Sequence, residues 1–327
     1  MVDEGRDVGP AQVGFSHTNE LGTLDPVTES ETSRRPDDGR SFVLTLGCPD
    51  RTGIVAAISG FIADIGGWIT EAAYHSDETS GWFFTRQAVR ADSVDLTVDE
   101  IRERFTRVVD EALGPESEWQ LSDTSTPKTA VLLVSKDSHC LTDLLARAER
   151  GELPAQIPAV IGNHRDLESL TTRFGIPFHH VPFPAGDPAG KAAAFNEVRR
   201  IVDGYQPDAI VLARFMQILP AELCEAWAGR AINIHHSFLP SFIGARPYHQ
   251  AFDRGVKLIG ATCHYVTADL DAGPIIEQDV GRINHDQTPA DMVRQGRDIE
   301  TLVLSRGVRW HLEDRVLVHG RKTVVFA

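Results

Sequence analysis

The chain has 327 residues, enough for two domains, and 42% of them are hydrophobic, an ordinary content for a globular protein. Lysine and arginine number 32 against 47 aspartates and glutamates, giving a formal net charge of −15. A chain this acidic lacks the broad basic face that nucleic acid requires, so we expect no nucleic-acid partner. With no apolar run near the ~20 residues of a membrane span and no signal-peptide pattern, we expect a cytoplasmic protein without a membrane partner.

Residues 1–40 are rich in Gly, Ser, Thr, Pro and acidic side chains, with only scattered apolar residues. Such a segment buries too little surface to offset the entropy cost of ordering it. We therefore expect a disordered acidic tail at residues 1–40.

Residues 41–123 have the pattern of a small α+β sandwich. Apolar alternation and helical spacing predict strands at 42–46, 68–75, 82–90 and 119–121, and helices at 54–65 and 98–113. The order βαββαβ is that of a ferredoxin-like sandwich.

A short motif in this segment points to ligand binding. The run Asp50-Arg51-x-Gly53-Ile54 lies between the first strand and the first helix, and with the element order it resembles the ACT family. The resemblance implies a regulatory domain that binds an amino-acid effector through these residues and joins copies into a homo-oligomer. The alternative is that Gly53 only permits the turn and Asp50 caps the helix.

A polar linker at 124–129 separates this segment from residues 130–327, where strands and helices alternate. The strand at 130–134 is continuously apolar, as a buried parallel strand must be. Further strands are predicted at 157–161, 178–181, 209–213, 231–234 and 257–265, and helices at 138–145, 165–174, 189–202, 220–227 and 288–312, before a hairpin at 315–326. This alternation predicts a doubly wound, mostly parallel sheet with helices on both faces.

Three polar residues are the candidate catalytic set. Asn233 and His235 are two apart at the end of a predicted strand, so they share a face, and Asp271 follows the next strand. An amide donor, an imidazole and a carboxylate together suit acyl chemistry on a small carbonyl. Cys263 and His264 are expected to fill the sheet. Adjacent His235 and His236 would face opposite ways, so we expect no metal.

The longer motif around these residues resembles the folate-dependent formyltransferase family. The resemblance is carried by the run Asn-Ile-His-His-Ser-Phe-Leu-Pro at 233–240, by Gly-Ala-Thr-Cys-His-Tyr-Val at 260–266 and by Leu-Asp-x-Gly-Pro-Ile-Ile at 270–276. The doubled histidine and the run at 244–251 are most similar to the hydrolytic branch of the family, the formyltetrahydrofolate deformylases. The match extends over about 128–327.

The resemblance implies hydrolysis of 10-formyltetrahydrofolate to formate and tetrahydrofolate, supplying formate for purine synthesis, with no cofactor. It places the pterin ring of the folate against two loops, whose residues are Met216, Gln217, Ile218, Leu219, Val266, Thr267 and Asp269. Two alternatives stay open, a glycinamide ribonucleotide formyltransferase with an added sensor domain and a non-catalytic folate or amino-acid sensor. The absence of glycine from the first strand-to-helix turn mildly favours hydrolysis.

Overall fold

The computed structural model describes residues 39–241 and 247–327. The predicted tail lies outside the described residues apart from Gly39 and Arg40, and so do residues 242–246, which belong to the run at 244–251. Among the described residues, no helix combines the length and the apolar character that crossing a membrane would need.

The first half of the described chain is a four-stranded antiparallel sheet with two helices on one face. Its elements are β1 (Ser41–Pro49), α1 (Ile54–Asp64), β2 (Trp68–Asp77), β3 (Trp82–Arg90), α2 (Val98–Val108) and β4 (Glu118–Asp123), in the spatial order β2-β3-β1-β4. This confirms the predicted ferredoxin-like order, and a single π-helical turn, Val109–Leu113, extends α2 to the predicted end.

Local signals in the sequence account for these helices. Thr97 and Glu100 form a capping box at the start of α2, each side chain bonding the other's backbone N–H. The buried faces of α1 and α2 meet through Phe61 and Phe105, whose ring centroids are 5.2 Å apart. Apolar side chains of both helices therefore close one core over the sheet.

The second half is a larger, mixed sheet covered by helices. Its elements are β5 (Lys128–Val134), α3 (His139–Glu149), β6 (Ala155–Gln156), β7 (Val160–Gly162), α4 (Glu168–Arg173), β8 (Phe178–His180), α5 (Pro188–Tyr205), β9 (Ala209–Ala213), α6 (Ala221–Ala226), β10 (Ala231–His235), α7 (Pro247–Arg254), β11 (Leu258–Tyr265), β12 (Ile275–Arg282), α8 (Pro289–Leu312), β13 (Val316–His319) and β14 (Lys322–Val325). The order is β12-β11-β10-β9-β5-β7-β8, with β6 beside β5.

The pairing within this sheet confirms the mostly parallel prediction and adds an antiparallel edge. Strands β8, β7, β5, β9 and β10 are parallel neighbours, whereas β11 pairs antiparallel with β10 and β12 antiparallel with β11. Two apolar cores, one on each face, hold the helices to the sheet. Strands β5 and β9 are buried along their apolar centres, which explains their continuous apolar sequences.

The C-terminal end of α8 and the hairpin β13–β14 join the two sheets into one compact unit. Arg86, buried in β3, donates to the backbone carbonyl of Glu313 over 3.3 and 3.1 Å. Glu71 of β2 accepts from Arg315 at 2.9 Å. The rings of Trp82 and His319 lie 4.3 Å apart. The long helix α8 thus packs against the second sheet and ends at the junction with the first.

Candidate active site

The carboxyl end of β10 positions the first two candidate residues. This strand is buried between β9 and β11, and of its five residues only Asn233 is partly exposed. His235 is the last residue of the strand and is 5% exposed. The strand therefore holds an amide and an imidazole two residues apart at the sheet edge where α/β proteins bind ligands.

Asp271 reaches this edge from the loop between β11 and β12. Its Oδ1 lies 3.3 Å from Nδ1 of His235, and the two side chains are 10% and 7% exposed. The hydrogen bond from His235 lowers the pKa of Asp271, so the carboxylate is charged at neutral pH. The structure thus brings together two predicted residues that are 36 positions apart in the chain.

The other ring nitrogen of His235, Nε2, is buried and has no hydrogen-bond partner among the described residues. Since Asp271 accepts the hydrogen on Nδ1, Nε2 carries the lone pair of the neutral ring. A buried nitrogen left unpaired is costly in a resting protein. It is therefore a ready acceptor for a proton from a bound water molecule or substrate.

His264 is a member of this set that the sequence interpretation missed. We expected it to fill the sheet, but its Nε2 lies 3.2 Å from Nδ2 of Asn233 and 3.9 Å from Oδ1 of Asp271. Its Nδ1 donates to the carbonyl oxygen of Tyr265 over 2.9 Å. Burial lowers the pKa of His264, so the ring is neutral and Nε2 accepts from the Asn233 amide. One Asn233 N–H is thereby fixed, which orients the other.

The reason for this miss is the direction of β11. Asn233 and His264 are direct cross-strand partners in the antiparallel pair β10–β11, and a register shift in the β11–β12 pairing falls between Cys263 and His264. Such a bulge changes which face a side chain occupies. Cys263 is fully buried under α8, as expected. Had the sequence indicated that β11 pairs antiparallel with β10, the pairing would have placed His264 opposite Asn233.

The next histidine, His236, is adjacent to the set but stays neutral. Its ring centroid lies 5.3 Å from that of His235 and 6.3 Å from that of Tyr248. Burial, with the positive charge of Arg214, lowers the pKa of His236 to about 4. The ring of His236 is therefore uncharged at neutral pH.

The two loops predicted to hold the pterin flank β10 on opposite sides. Met216 and Ile218 are 57% and 61% exposed, so their apolar surface is open to a ligand, with Gln217 half-buried between them. Leu219, by contrast, is buried in the core beneath α6. Met216 has a left-handed backbone with φ 57°, a strain that commonly marks ligand-binding segments.

In the second loop, Val266 and Thr267 are half-buried and Asp269 is exposed. Thr267 Oγ1 donates to the Asp269 carbonyl over 3.0 Å, which closes a tight turn just before Asp271. The backbone of Asp271 is itself left-handed, with φ 54°. The carboxylate is thus presented by a constrained turn rather than by a regular strand.

The residues of the predicted effector motif have structural partners of their own. Gly53, with φ 98°, precedes α1, and Ile54 is buried in the core. Asp50 accepts from Ser76, and Arg51 donates to the carbonyl of Ala112. Asp50 and Arg51 are exposed, so they are the members of this motif whose side chains a ligand can reach.

Comparison with known proteins is consistent across sequence and structure. The model of the family described as Formyl transferase matches residues 128–308. A formyltetrahydrofolate deformylase from a Corynebacterium species is 44% identical over 283 residues, which cover 86% of this chain and 97% of that protein.

Solved structures extend the likeness to the whole described fold. The crystal structure of a formyltetrahydrofolate deformylase from Pseudomonas syringae pv. tomato superposes with a TM-score of 0.85 at 56% identity, covering 88% of this chain and 95% of that one. Glycinamide ribonucleotide transformylase 1 from Symbiobacterium toebii gives a TM-score of 0.57 at 28% identity, covering 62% of this chain and 95% of that one. The transformylase likeness therefore leaves more than a third of this chain unmatched.

Proposed function

The chain belongs to the formyltetrahydrofolate deformylases within the formyl transferase family, and from this premise we propose that it hydrolyses 10-formyltetrahydrofolate to formate and tetrahydrofolate. The observation that carries the proposal is the convergence of Asn233, His235 and Asp271 at the carboxyl edge of β10. In the cell this reaction would release formate for purine synthesis and adjust the pool of one-carbon folates.

The proposed roles follow from the hydrogen bonds of the set. Water attacks the formyl carbon, and His235 Nε2, the unpaired acceptor, takes its proton while Asp271 stabilises the charged ring. The free N–H of Asn233 donates to the oxygen that becomes negative, an interaction worth ~3–4 kcal/mol of barrier height. The C–N10 bond then breaks, N10 receives the proton from His235, and formic acid leaves and loses its remaining proton to solvent as formate.

His264 has a positioning role in this scheme. By accepting from Asn233 it fixes the rotation of the amide, so the second N–H needs no reorganisation when the oxyanion forms. The pterin of the substrate would lie against Met216, Gln217 and Ile218 on one side and the loop with Val266, Thr267 and Asp269 on the other. The buried Leu219 would support this wall from beneath.

Incubation of the purified protein with 10-formyltetrahydrofolate and no acceptor tests the activity. We expect formate and tetrahydrofolate in equal amounts, and loss of this turnover in the Asp271→Ala variant. The transferase alternative would instead be supported if no formate formed and a formylated amine appeared only when glycinamide ribonucleotide was added. Turnover by the unaltered protein would by itself exclude a non-catalytic sensor.

We also propose that residues 41–123 form an ACT-type regulatory domain, which binds a small amino acid near Asp50 and Arg51 and pairs with a second copy of the chain. The exposed turn before α1 and the left-handed Gly53 support the first part. Calorimetric titration of the full-length protein with glycine and methionine tests binding. Light scattering over a range of concentrations tests assembly, since a particle of 35.9 kDa at all concentrations contradicts it.

We further propose a cytoplasmic location. The four cysteines, Cys48, Cys140, Cys224 and Cys263, are all buried and unpaired, which suits a reducing compartment. After cell fractionation, we expect the hydrolytic activity in the soluble cytoplasmic fraction and none in the periplasmic or membrane fraction.

A further inference from the structure

A second group of buried charges lies next to the catalytic set. The strand order of the larger sheet reverses at β5 and β9, since β7 and β8 follow on one side and β10 on the other. In open α/β sheets the crevice at such a switch point is the usual ligand-binding place. Here the loops that follow β5 and β9 carry Asp137 and Arg214, whose side chains pair at 3.3 Å between Oδ2 and Nη2.

Glu300 of α8 completes this group from below. It is 1% exposed, and its two oxygens accept from Tyr248 Oη at 2.7 Å and from His139 Nε2 at 2.8 Å. Its Oε2 is also 3.5 Å from Arg214 Nε. Burial by itself raises the pKa of Glu300, but the hydrogen bond from His139 and the charge of Arg214 outweigh it, so the carboxylate stays ionised.

The Glu300 carboxylate lies next to the first residue of helix α3. His139 is the first residue of α3, and a helix N-terminus is where α/β proteins commonly bind an anionic group of a ligand. In this chain the Glu300 carboxylate bonds the side chain of that first residue. Cys140, the next residue of α3, is buried beside this pair, and burial raises the pKa of its thiol.

Arg214 has a strained backbone conformation. Its φ is 65°, in the left-handed region where glycine is preferred, yet the residue is a 13%-exposed arginine. The Nη1 atom of this arginine is buried without a hydrogen-bond partner among the described residues. Backbone strain kept at a buried arginine with an unused donor favours a role in the site.

We propose that the Arg214–Glu300–Asp137 group is a specificity device that fills the switch-point crevice and excludes an amine acceptor, so that water is the only nucleophile that reaches the formyl carbon. The inference rests on the proposed hydrolysis. The link to the site is His236, whose ring centroid is 5.3 Å from that of His235 and 6.3 Å from that of Tyr248, the hydrogen-bond donor to Glu300. The related transformylase from Symbiobacterium toebii, by its name, uses a ribonucleotide acceptor on the same fold.

The reaction that the group prevents is transfer of the formyl group to an amine, which needs no further reactant. An acceptor amine attacks the formyl carbon, a C–N bond to the amine forms, and the C–N10 bond breaks. The proton that the amine loses passes to N10. The products are a formamide and tetrahydrofolate, so only the nucleophile differs from hydrolysis.

The test variant is Arg214→Gly, because glycine adopts the left-handed backbone without strain while removing the side chain. Unaltered protein and variant are given 10-formyltetrahydrofolate labelled in the formyl group, with glycinamide or glycinamide ribonucleotide as acceptor. Labelled formate and labelled formamide are then separated and counted. We expect the ratio of transfer to hydrolysis to rise at least about tenfold in the variant.

Two further variants complete the experiment. Arg199→Ala removes an exposed arginine of α5 that pairs with Asp203 and not with the group, and its ratio should equal that of the unaltered protein. If Arg214→Gly does not fold, Arg214→Gly with Glu300→Gln removes the uncompensated buried charge and the same rise is expected.

A folded variant with an unchanged ratio, or one that loses hydrolysis without gaining transfer, overturns the inference. So does ready transfer by the unaltered protein. Failure of the proposed hydrolysis is seen separately, in the reaction of the unaltered protein without acceptor.

Discussion

Gly273 offers the sharpest test of the loop that presents Asp271. A Cβ atom added at residue 273 would lie 1.8 Å from the carbonyl oxygen of Tyr265. Bringing this pair to ordinary contact, 3.4 Å, requires a movement of about 1.6 Å. The facing backbone is held by the bond from Tyr265 N to the carbonyl of Pro274 at 2.9 Å and by Val266 N to Ala231 O at 2.8 Å, so the loop must move.

The Gly273→Ala variant should therefore displace Asp271, two residues earlier in the same loop. A misplacement of ~1 Å in a catalytic group costs ~10²-fold in rate, which is ~2.7 kcal/mol of barrier. We expect kcat for acceptor-free formate release to fall by about that factor, measured on protein whose folded fraction is known from its urea transition.

The matched control is Gly204→Ala in α5, where an added Cβ meets no atom within 4 Å. This change should leave kcat unaltered and stabilise the helix by ~0.5–1 kcal/mol. A folded Gly273→Ala protein with the parental kcat would refute the reasoning, because it would mean that the position of Asp271 does not depend on the close approach at Gly273.

Three further predictions concern separate parts of the chain. His264→Leu removes the acceptor that orients Asn233, so kcat should fall ~10-fold or more with KM nearly unchanged; an equal rise in KM would argue for a binding role. Because the pKa of Asp271 in the folded protein is below its unfolded value of 3.8, its carboxylate stabilises the fold above pH 3.8 and stops doing so as the pH falls through the folded pKa. In urea unfolding measured against pH, the free energy of unfolding of Asp271→Asn should therefore fall less steeply in acid than that of the unaltered protein. Identical curves would contradict this. Arg86→Met leaves the Glu313 carbonyl unpaired at the junction of the sheets and should cost ~1–3 kcal/mol of unfolding free energy, whereas Arg107→Met, exposed on α2, should cost almost nothing.

Much of the secondary structure follows from local sequence, because the signals are local. The capping hydroxyl of Thr288 and the proline at the first helical position predicted the start of α8, which runs to Leu312 as expected. Apolar runs and turn residues likewise predicted the ferredoxin-like order of the first sheet and the C-terminal hairpin. Helix α7 and strand β12 had no comparably clear pattern and were not predicted.

Some residues of the candidate site could likewise be predicted from local sequence, and others could not. Asn233 and His235 were predictable because the period of a strand puts residues two apart on one face, and Asp271 because its motif follows the next strand. The sequence by itself therefore determined the chemical groups of the site and the strand that carries two of them.

Only the tertiary structure decided which other residues join them. His264 reaches Asn233 because β11 runs antiparallel to β10, and Glu300 reaches Arg214 because α8 packs against α3 and the sheet. Both pairs connect side chains brought together by chain packing, at separations of 31 and 86 residues. Local propensities are short-range, whereas strand direction and helix placement are set by burial of the whole apolar core, which no single segment encodes.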